Sequence, residues 1–334
     1  MEDPIKWFAM EKEGLYFLPG KFYIDPFYPV STAVISHAHA DHAVSGHQFV
    51  IAHPDTISLM QIRNEEYSFK FKSLNYFETI NHNDVILYLL PAGHILGSAQ
   101  VVIEYKGTRI IFSGDYKRTP DPTCEPFFVE PCDVFITEAT FGLPIFKHPA
   151  IHMELKRLLD SLTLFPTRCH LVGVYALGKC QRIIKELRNL GYLEPIYIHS
   201  ALKKICDFYE ARECSLGIIQ MANTLDKYSA QGKIILCPPS SLHDRWSRRF
   251  GDVVVALASG WMQIRARAKQ KKIELPLVIS DHADWNELIN TIQEINPSEI
   301  WITHGQEEAL LHYTKQQGYQ ARPLHFLENQ DSED

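Results

Sequence analysis

Residues 37–42 read His-Ala-His-Ala-Asp-His and follow directly on the apolar run Thr32-Ala33-Val34-Ile35-Ser36. In an extended segment, residues two apart point the same way, so His37 and His39 can converge on one ion. Asp41 and His42 come after the chain turns and are free to serve a neighbouring ion. Imidazole and carboxylate are the ligands that zinc and similar divalent ions take. A single histidine at a strand end is ordinarily a polar residue with a hydrogen-bond partner. Four potential ligands within six residues have no comparable structural explanation.

Further ligand-type residues stand at the ends of other apolar runs. His94 lies in Leu90-Pro91-Ala92-Gly93-His94-Ile95-Leu96-Gly97-Ser98, a turn between the runs Val85–Leu90 and Ala99–Tyr105. Asp115 closes Arg109-Ile110-Ile111-Phe112-Ser113-Gly114-Asp115, where glycine lets backbone approach an ion closely. Glu138 ends Val134-Phe135-Ile136-Thr137, His282 sits in Val278-Ile279-Ser280-Asp281-His282, and His304 in Ile300-Trp301-Ile302-Thr303-His304-Gly305. Polar groups at the ends of core strands, and not within them, are what one rim of a sheet contributes to an active site.

Along the chain the element pattern changes near residue 150. Short strands with Gly, Pro and Asp turns dominate residues 15–145, with a helix expected near Thr56–Arg63. Beyond Ile151, strands alternate with helices as in a parallel α/β layer. A strand is expected at Leu277–Ser280, helices at Trp285–Ile295 and Glu307–Gln317, and only Asn329–Asp334 reads as disordered. His282 and His304 must rejoin the N-terminal ligands. One domain is therefore expected from residues 1–145 and 273–334, with 146–272 inserted and the active site in the cleft between them. The 334 residues and 46% hydrophobic content suit two domains of ordinary size. No apolar stretch approaches a membrane span, and the start Met1-Glu2-Asp3-Pro4-Ile5-Lys6 lacks the features of a secretory signal. Seven cysteines without a Cys-x-x-Cys pair fit free thiols in a reducing cytoplasm. The net charge of −7 argues against a protein that coats nucleic acid, but not against a local basic channel.

A strand followed by HxHxDH, then Gly-His, then Gly-Asp resembles the metallo-β-lactamase fold. Glu138, Ser-Asp-His282 and Thr-His304-Gly resemble three later motifs of its β-CASP nuclease branch, which includes the polyadenylation endonuclease subunit, RNase J and Artemis. Ala176-Leu177-Gly178-Lys179-Cys180-Gln181 resembles a helix start of that branch. The strings 114–124, Ala-Ser-Gly-Trp-Met (258–262) and Ser-Asp-His-Ala-Asp-Trp (280–285) resemble the bacterial DNA-ligase-associated exonuclease group. The resemblance runs from about Gly14 to Gly318. It implies an αββα sandwich carrying an inserted parallel α/β β-CASP domain.

The roles follow from chemistry checked against that resemblance. His37, His39 and His94 would hold one divalent ion, Asp41, His42 and His304 a second, and Asp115 would bridge them. Zinc is expected, with manganese as the other candidate. Asp25, after Phe22-Tyr23-Ile24, either orients a ligand histidine or is a turn aspartate before Pro26. The candidate catalytic residues are Asp41, Glu138 and His282. His282 would protonate the departing oxygen while Glu138 orients it; the rival reading is a structural strand-end histidine. Lys179 at a helix start, and Arg265, Arg267 and Lys269 in the run 265–272, either contact substrate phosphates or are simply solvated. The resemblance implies a cytoplasmic nuclease for DNA repair, acting as an exonuclease alongside a DNA ligase and helicase, with no membrane partner. His304 is instead typical of RNA-processing members, which makes an RNA nuclease the alternative. A small-molecule metallo-hydrolase is the third reading.

Overall fold

Period-two alternation of apolar residues builds two facing sheets from the N-terminal and C-terminal parts of the chain. The computed structural model describes residues 2–64 and 68–327; the tail 329–334 lies outside them. Two compact units divide the chain, one of residues 1–145 and 282–334, the other of residues 146–281.

In the first unit, one sheet runs in the spatial order Phe8–Glu11, Gly14–Phe17, Phe22–Ile24, Thr32–Ile35, Phe49–Ala52, Lys70–Ser73. Its first three strands are antiparallel and the rest parallel. The second sheet runs Gln320–Pro323, Glu299–Gly305, Val134–Ala139, Thr108–Phe112, Ala99–Tyr105, Val85–Pro91, Ile80–His82. Ile110 and Phe112 face the first sheet, where they meet Val34, Ile51, Ile136 and Trp301. Ile111 faces the other way and packs with Leu288, Ile292, Ile295 and Leu310 from two covering helices. The strand's pleat thus serves two cores at once.

Those covering helices are Trp285–Ile295 and Glu307–Gln316. Trp285, Leu288, Ile292 and Ile295 recur at helical spacing and form the buried stripe. Asp284 caps the first helix by accepting from the Glu287 N–H, and the Glu287 side chain returns to the Asp284 N–H. On the first sheet, the helix Pro54–Arg63 lies beside the edge strand Lys70–Ser73.

The second unit is a wholly parallel sheet in the order Ile219–Met221, Ile196–Ile198, Ile234–Cys237, Cys169–Gly173, Val253–Ala258, Leu275–Leu277. Its central strands are buried along their whole length, as parallel strands covered on both faces must be. Helix Ile151–Leu164 leads into the first of them, and helices Lys179–Asn189 and Ser200–Ala211 connect successive strands.

The last strand departs from the sequence expectation. It spans Leu275–Leu277 and stops before Ser280. Beyond it, side chains take over the backbone: Val278 N–H donates to Glu154 Oε2 at 2.7 Å, and Arg182 Nη1 donates to Ser280 O at 2.6 Å. Because this strand pairs with Val253–Ala258, residues 273–281 stay with the second unit.

Candidate active site

Strands Val85–Pro91, Thr108–Phe112, Val134–Ala139 and Glu299–Gly305 all run in one direction, the first two separated by an antiparallel neighbour. Their C-terminal ends carry His94, Asp115, Glu138 and His304. Thr32–Ile35 in the facing sheet ends at Ser36 and His37. The loops of the two sheets meet closely at Gly114, where a Cβ would lie 2.8 Å from Ser36 Cβ, and whose φ of +55° suits glycine.

Three imidazoles converge here. His39 Nδ1 lies 3.1 Å from His37 Nε2 and 3.0 Å from His94 Nε2. Asp115 Oδ2 is 3.6 Å from His37 Nε2 and 3.8 Å from His94 Nε2. Ligand atoms set tetrahedrally at zinc's usual bond lengths are roughly 3.3 Å apart. The spacing and the chemistry of this donor set fit a divalent ion.

A second grouping joins His37, His42 and Asp25. His42 Nε2 is 3.4 Å from Asp115 Oδ2, and its Nδ1 is 2.8 Å from Asp25 Oδ2. Asp25 also accepts the Ser36 N–H and the Ser36 hydroxyl, and that hydroxyl lies 2.9 Å from His37 Nδ1. One buried carboxylate thus touches His42 directly and reaches His37 through Ser36.

The buried groups at this place are shifted in different directions. Burial pushes the Asp115 carboxyl up, but the imidazoles of His42 and His282 outweigh it and hold it well below the usual carboxylate range. Burial would lower His42, yet Asp115 and Asp25 hold its ring well above histidine's ordinary value. Burial and the neighbouring His42 push His37 well below it.

Two expected ligands stand apart. Among the described residues neither Asp41 nor His304 enters a grouping of metal-type side chains. Asp41 is exposed, and its charge reaches Arg63, which donates from Nη1 to Ala38 O at 2.5 Å. His304 stacks on His42 with ring centroids 4.9 Å apart and adopts a left-handed φ of 54°, a strained backbone for histidine.

Glu138 and His282 meet beside Asp115. His282 Nδ1 is 3.0 Å from Glu138 Oε2 and 3.8 Å from Asp115 Oδ2. Glu138 is 1% exposed, and it accepts the Tyr116 N–H at Oε1 (2.7 Å) and the Thr140 hydroxyl at Oε2 (2.5 Å).

Comparison with known proteins finds similarity over most of the chain. Residues 272–317 match the family model of the Zn-dependent metallo-hydrolase RNA specificity domain. The chain is 26% identical to a probable DNA ligase of Opitutus terrae over 94% of its own length. It is also 26% identical to an RNase J-like protein of Methanocaldococcus jannaschii, over 83% of this chain and 82% of that one. In sequence the chain is similar to metallo-β-lactamase/β-CASP proteins. It spans 31% of the ligase-named relative, and 54% and 48% of two cleavage and polyadenylation specificity factor subunits that it also matches. In fold it resembles a protein of unknown function from Enterococcus faecalis, with a TM-score of 0.58 at 12% identity over 87% of this chain and 78% of that one.

The residues expected to touch substrate are placed less simply than their sequence suggests. Lys179 is 4% exposed, and its ammonium lies 3.1 Å from Asp281 Oδ2. Arg182 approaches the other oxygen of Asp281 at 3.3 Å. The anion that Lys179 meets is internal, so the lysine is not simply solvated. Arg265, Arg267 and Lys269 are exposed on the short helix Arg265–Gln270. At 100° per residue, Arg265 and Lys269 share a face, while the Arg267 guanidinium lies 4.0 Å from the centre of the Trp261 ring.

Two polar residues at the site escaped the sequence reading. Ser36 is hidden between a strand and the histidines that follow it. Thr140 stands two residues after Glu138, and the strand's period of two was a signal that it faces the same way.

Proposed function

We propose that the chain is a metal-dependent nucleic-acid phosphodiesterase, acting on DNA as an exonuclease. The observation that carries this reading is the convergence of His37, His39, His94 and Asp115 on one point with the Glu138–His282 pair beside them. A small-molecule hydrolase needs the first cluster but has no use for the second.

His37, His39 and His94 would hold one ion, and His42 a second with Asp115 between them. Asp41 and His304 would complete the second set. Paired divalent ions, when bound, supply Lewis-acid stabilisation for the attacking and leaving oxygens of an in-line displacement. The protein's own part is then proton handling. His282 donates a proton to the departing sugar oxygen, and Glu138 keeps hold of the ring through Nδ1 and opposes its rotation. Asp25 fixes the rings of His42 and, through Ser36, His37. Residues 146–281 would serve as the inserted β-CASP domain, with Arg265 and Lys269 along the path of the sugar–phosphate backbone.

The DNA assignment is supported by similarity to about a third of a protein named as a probable DNA ligase, which suggests work beside a ligase. RNA is the second reading. It is favoured by the RNA-specificity family model over residues 272–317 and by the RNase J-like relative.

The deciding experiment is cleavage of matched end-labelled DNA and RNA, single- and double-stranded, with zinc or manganese. Stepwise shortening of DNA at a rate well above RNA supports the proposal. Preferential RNA cleavage replaces it with the second reading, and no cleavage of any polymer overturns both.

A further inference from the structure

Glu138 is buried at the end of a strand, and the described residues place no lysine or arginine in an ion pair with it. A buried carboxylate must find donors. It has three: the Tyr116 N–H on Oε1, the Thr140 hydroxyl on Oε2, and His282 Nδ1, which lies 3.0 Å from Oε2 and 3.3 Å from Oε1. Two of these therefore share one oxygen. The Thr140 hydroxyl sits on the oxygen nearer to His282.

The backbone that carries Thr140 is itself pinned. Ala139 O accepts the N–H groups of Gly142 (2.9 Å) and Gln306 (2.8 Å). Gly305 lies so close that a Cβ there would fall 2.4 Å from Ala139 O and 2.6 Å from Thr140 Cα. The strand end at Gly305 thus fixes the backbone position from which the Thr140 hydroxyl reaches Glu138.

We infer that Thr140 is a positioning residue for the reaction. Its hydroxyl, with the Tyr116 N–H, locks the plane of the Glu138 carboxylate so that Oε2 points at His282 Nδ1. The imidazole is thereby held with its other edge set for the leaving oxygen. This inference rests on the phosphodiesterase reading above, in which His282 delivers a proton.

The test compares Thr140→Val, which keeps the shape and loses the hydroxyl, with Thr140→Ser, which keeps the hydroxyl. Each is made in the wild type and in a His282→Ala background, and kcat, KM and bound metal are measured on a labelled oligonucleotide. Thr140→Val should lower kcat roughly tenfold, as expected for one lost hydrogen bond to a charged group, with KM and metal unchanged. Thr140→Ser should restore kcat to within about twofold. In the His282→Ala background Thr140→Val should have no further effect, because nothing remains to be positioned. A Thr140→Val rate equal to wild type, or the same tenfold loss without His282, overturns the inference. A normal rate for His282→Ala alone would refute the acid role and leave Thr140 nothing to position. If the wild type cleaves no phosphodiester, the functional reading fails separately. Crystal structures of the two variants then decide: a His282 ring displaced in Thr140→Val and in place in Thr140→Ser supports positioning, and an unmoved ring in both refutes it.

Discussion

The Nδ1 of His282 lies 3.0 Å from Glu138 Oε2, and that carboxylate is closed to solvent. The pairing commits one ring nitrogen to the protein, so whatever proton chemistry His282 performs must use the other. His282→Ala should therefore slow oligonucleotide hydrolysis by roughly 10²–10⁴-fold while both ions stay bound. A substrate with a better leaving group should recover most of the loss. Metal analysis checks the distinction: a variant that sheds an ion would make His282 a ligand.

Asp25 should matter through the ligands it touches. Asp25→Asn keeps the size and tolerates the left-handed φ of 43°, but its single amide oxygen cannot serve Ser36 and His42 as the carboxylate does. Metal affinity, measured by competition with a chromogenic chelator, should fall about 10–100-fold. Unchanged affinity would leave Asp25 a turn residue before Pro26 and nothing more.

The basic helix divides into two roles. Replacing Arg265 and Lys269 with Ala should weaken single-strand binding and flatten its salt dependence by roughly 1.4 units, at about 0.7 per phosphate contact. Arg267→Ala should change the salt slope less and lower the melting temperature, because its guanidinium stacks on Trp261. Titrations of affinity against salt separate the two; equal slopes for wild type and the double variant would make the helix an ordinary solvated surface.

Acid should destabilise the fold in part through His47. This ring is buried, its Nδ1 accepts the Val30 N–H at 3.3 Å, and burial pushes it down to about 4. Its unfolded value is about 6.5. As pH falls the unfolded chain takes up the proton first, so the stability contributed by neutral His47 is whole above about 6.5. It is lost progressively as pH drops from there towards about 4. Thermal unfolding of His47→Gln across that window should show a shallower decline than the wild type. Parallel declines would mean that this ring does not change protonation on unfolding.

The metal-type residues were legible because each stands at the end of an apolar run, and apolar runs are what a sheet needs for its core. His37, His94, Asp115 and Glu138 could be placed on one rim on that ground alone. What could not be read was how side chains pair across distant sequence. A lysine at a helix start reads the same whether its partner is a phosphate or Asp281. The strand expected through Ser280 stops at Leu277 because Glu154 and Arg182, far back in the chain, satisfy the backbone beyond it. The run 265–272 reads as a line of charge, yet as a helix it sends Arg267 to Trp261. Asp41 illustrates the same limit, since nothing in His-Ala-His-Ala-Asp-His says which of its members turns outward to solvent.

The central claim is a paired metal centre bridged by Asp115. Metal content per chain, measured for wild type and Asp115→Ala after identical exhaustive dialysis against metal-free buffer, tests it most directly. The account predicts close to two transition-metal ions in the wild type and the loss of at least one in the variant. A single ion per chain, unchanged by removing Asp115, would contradict it.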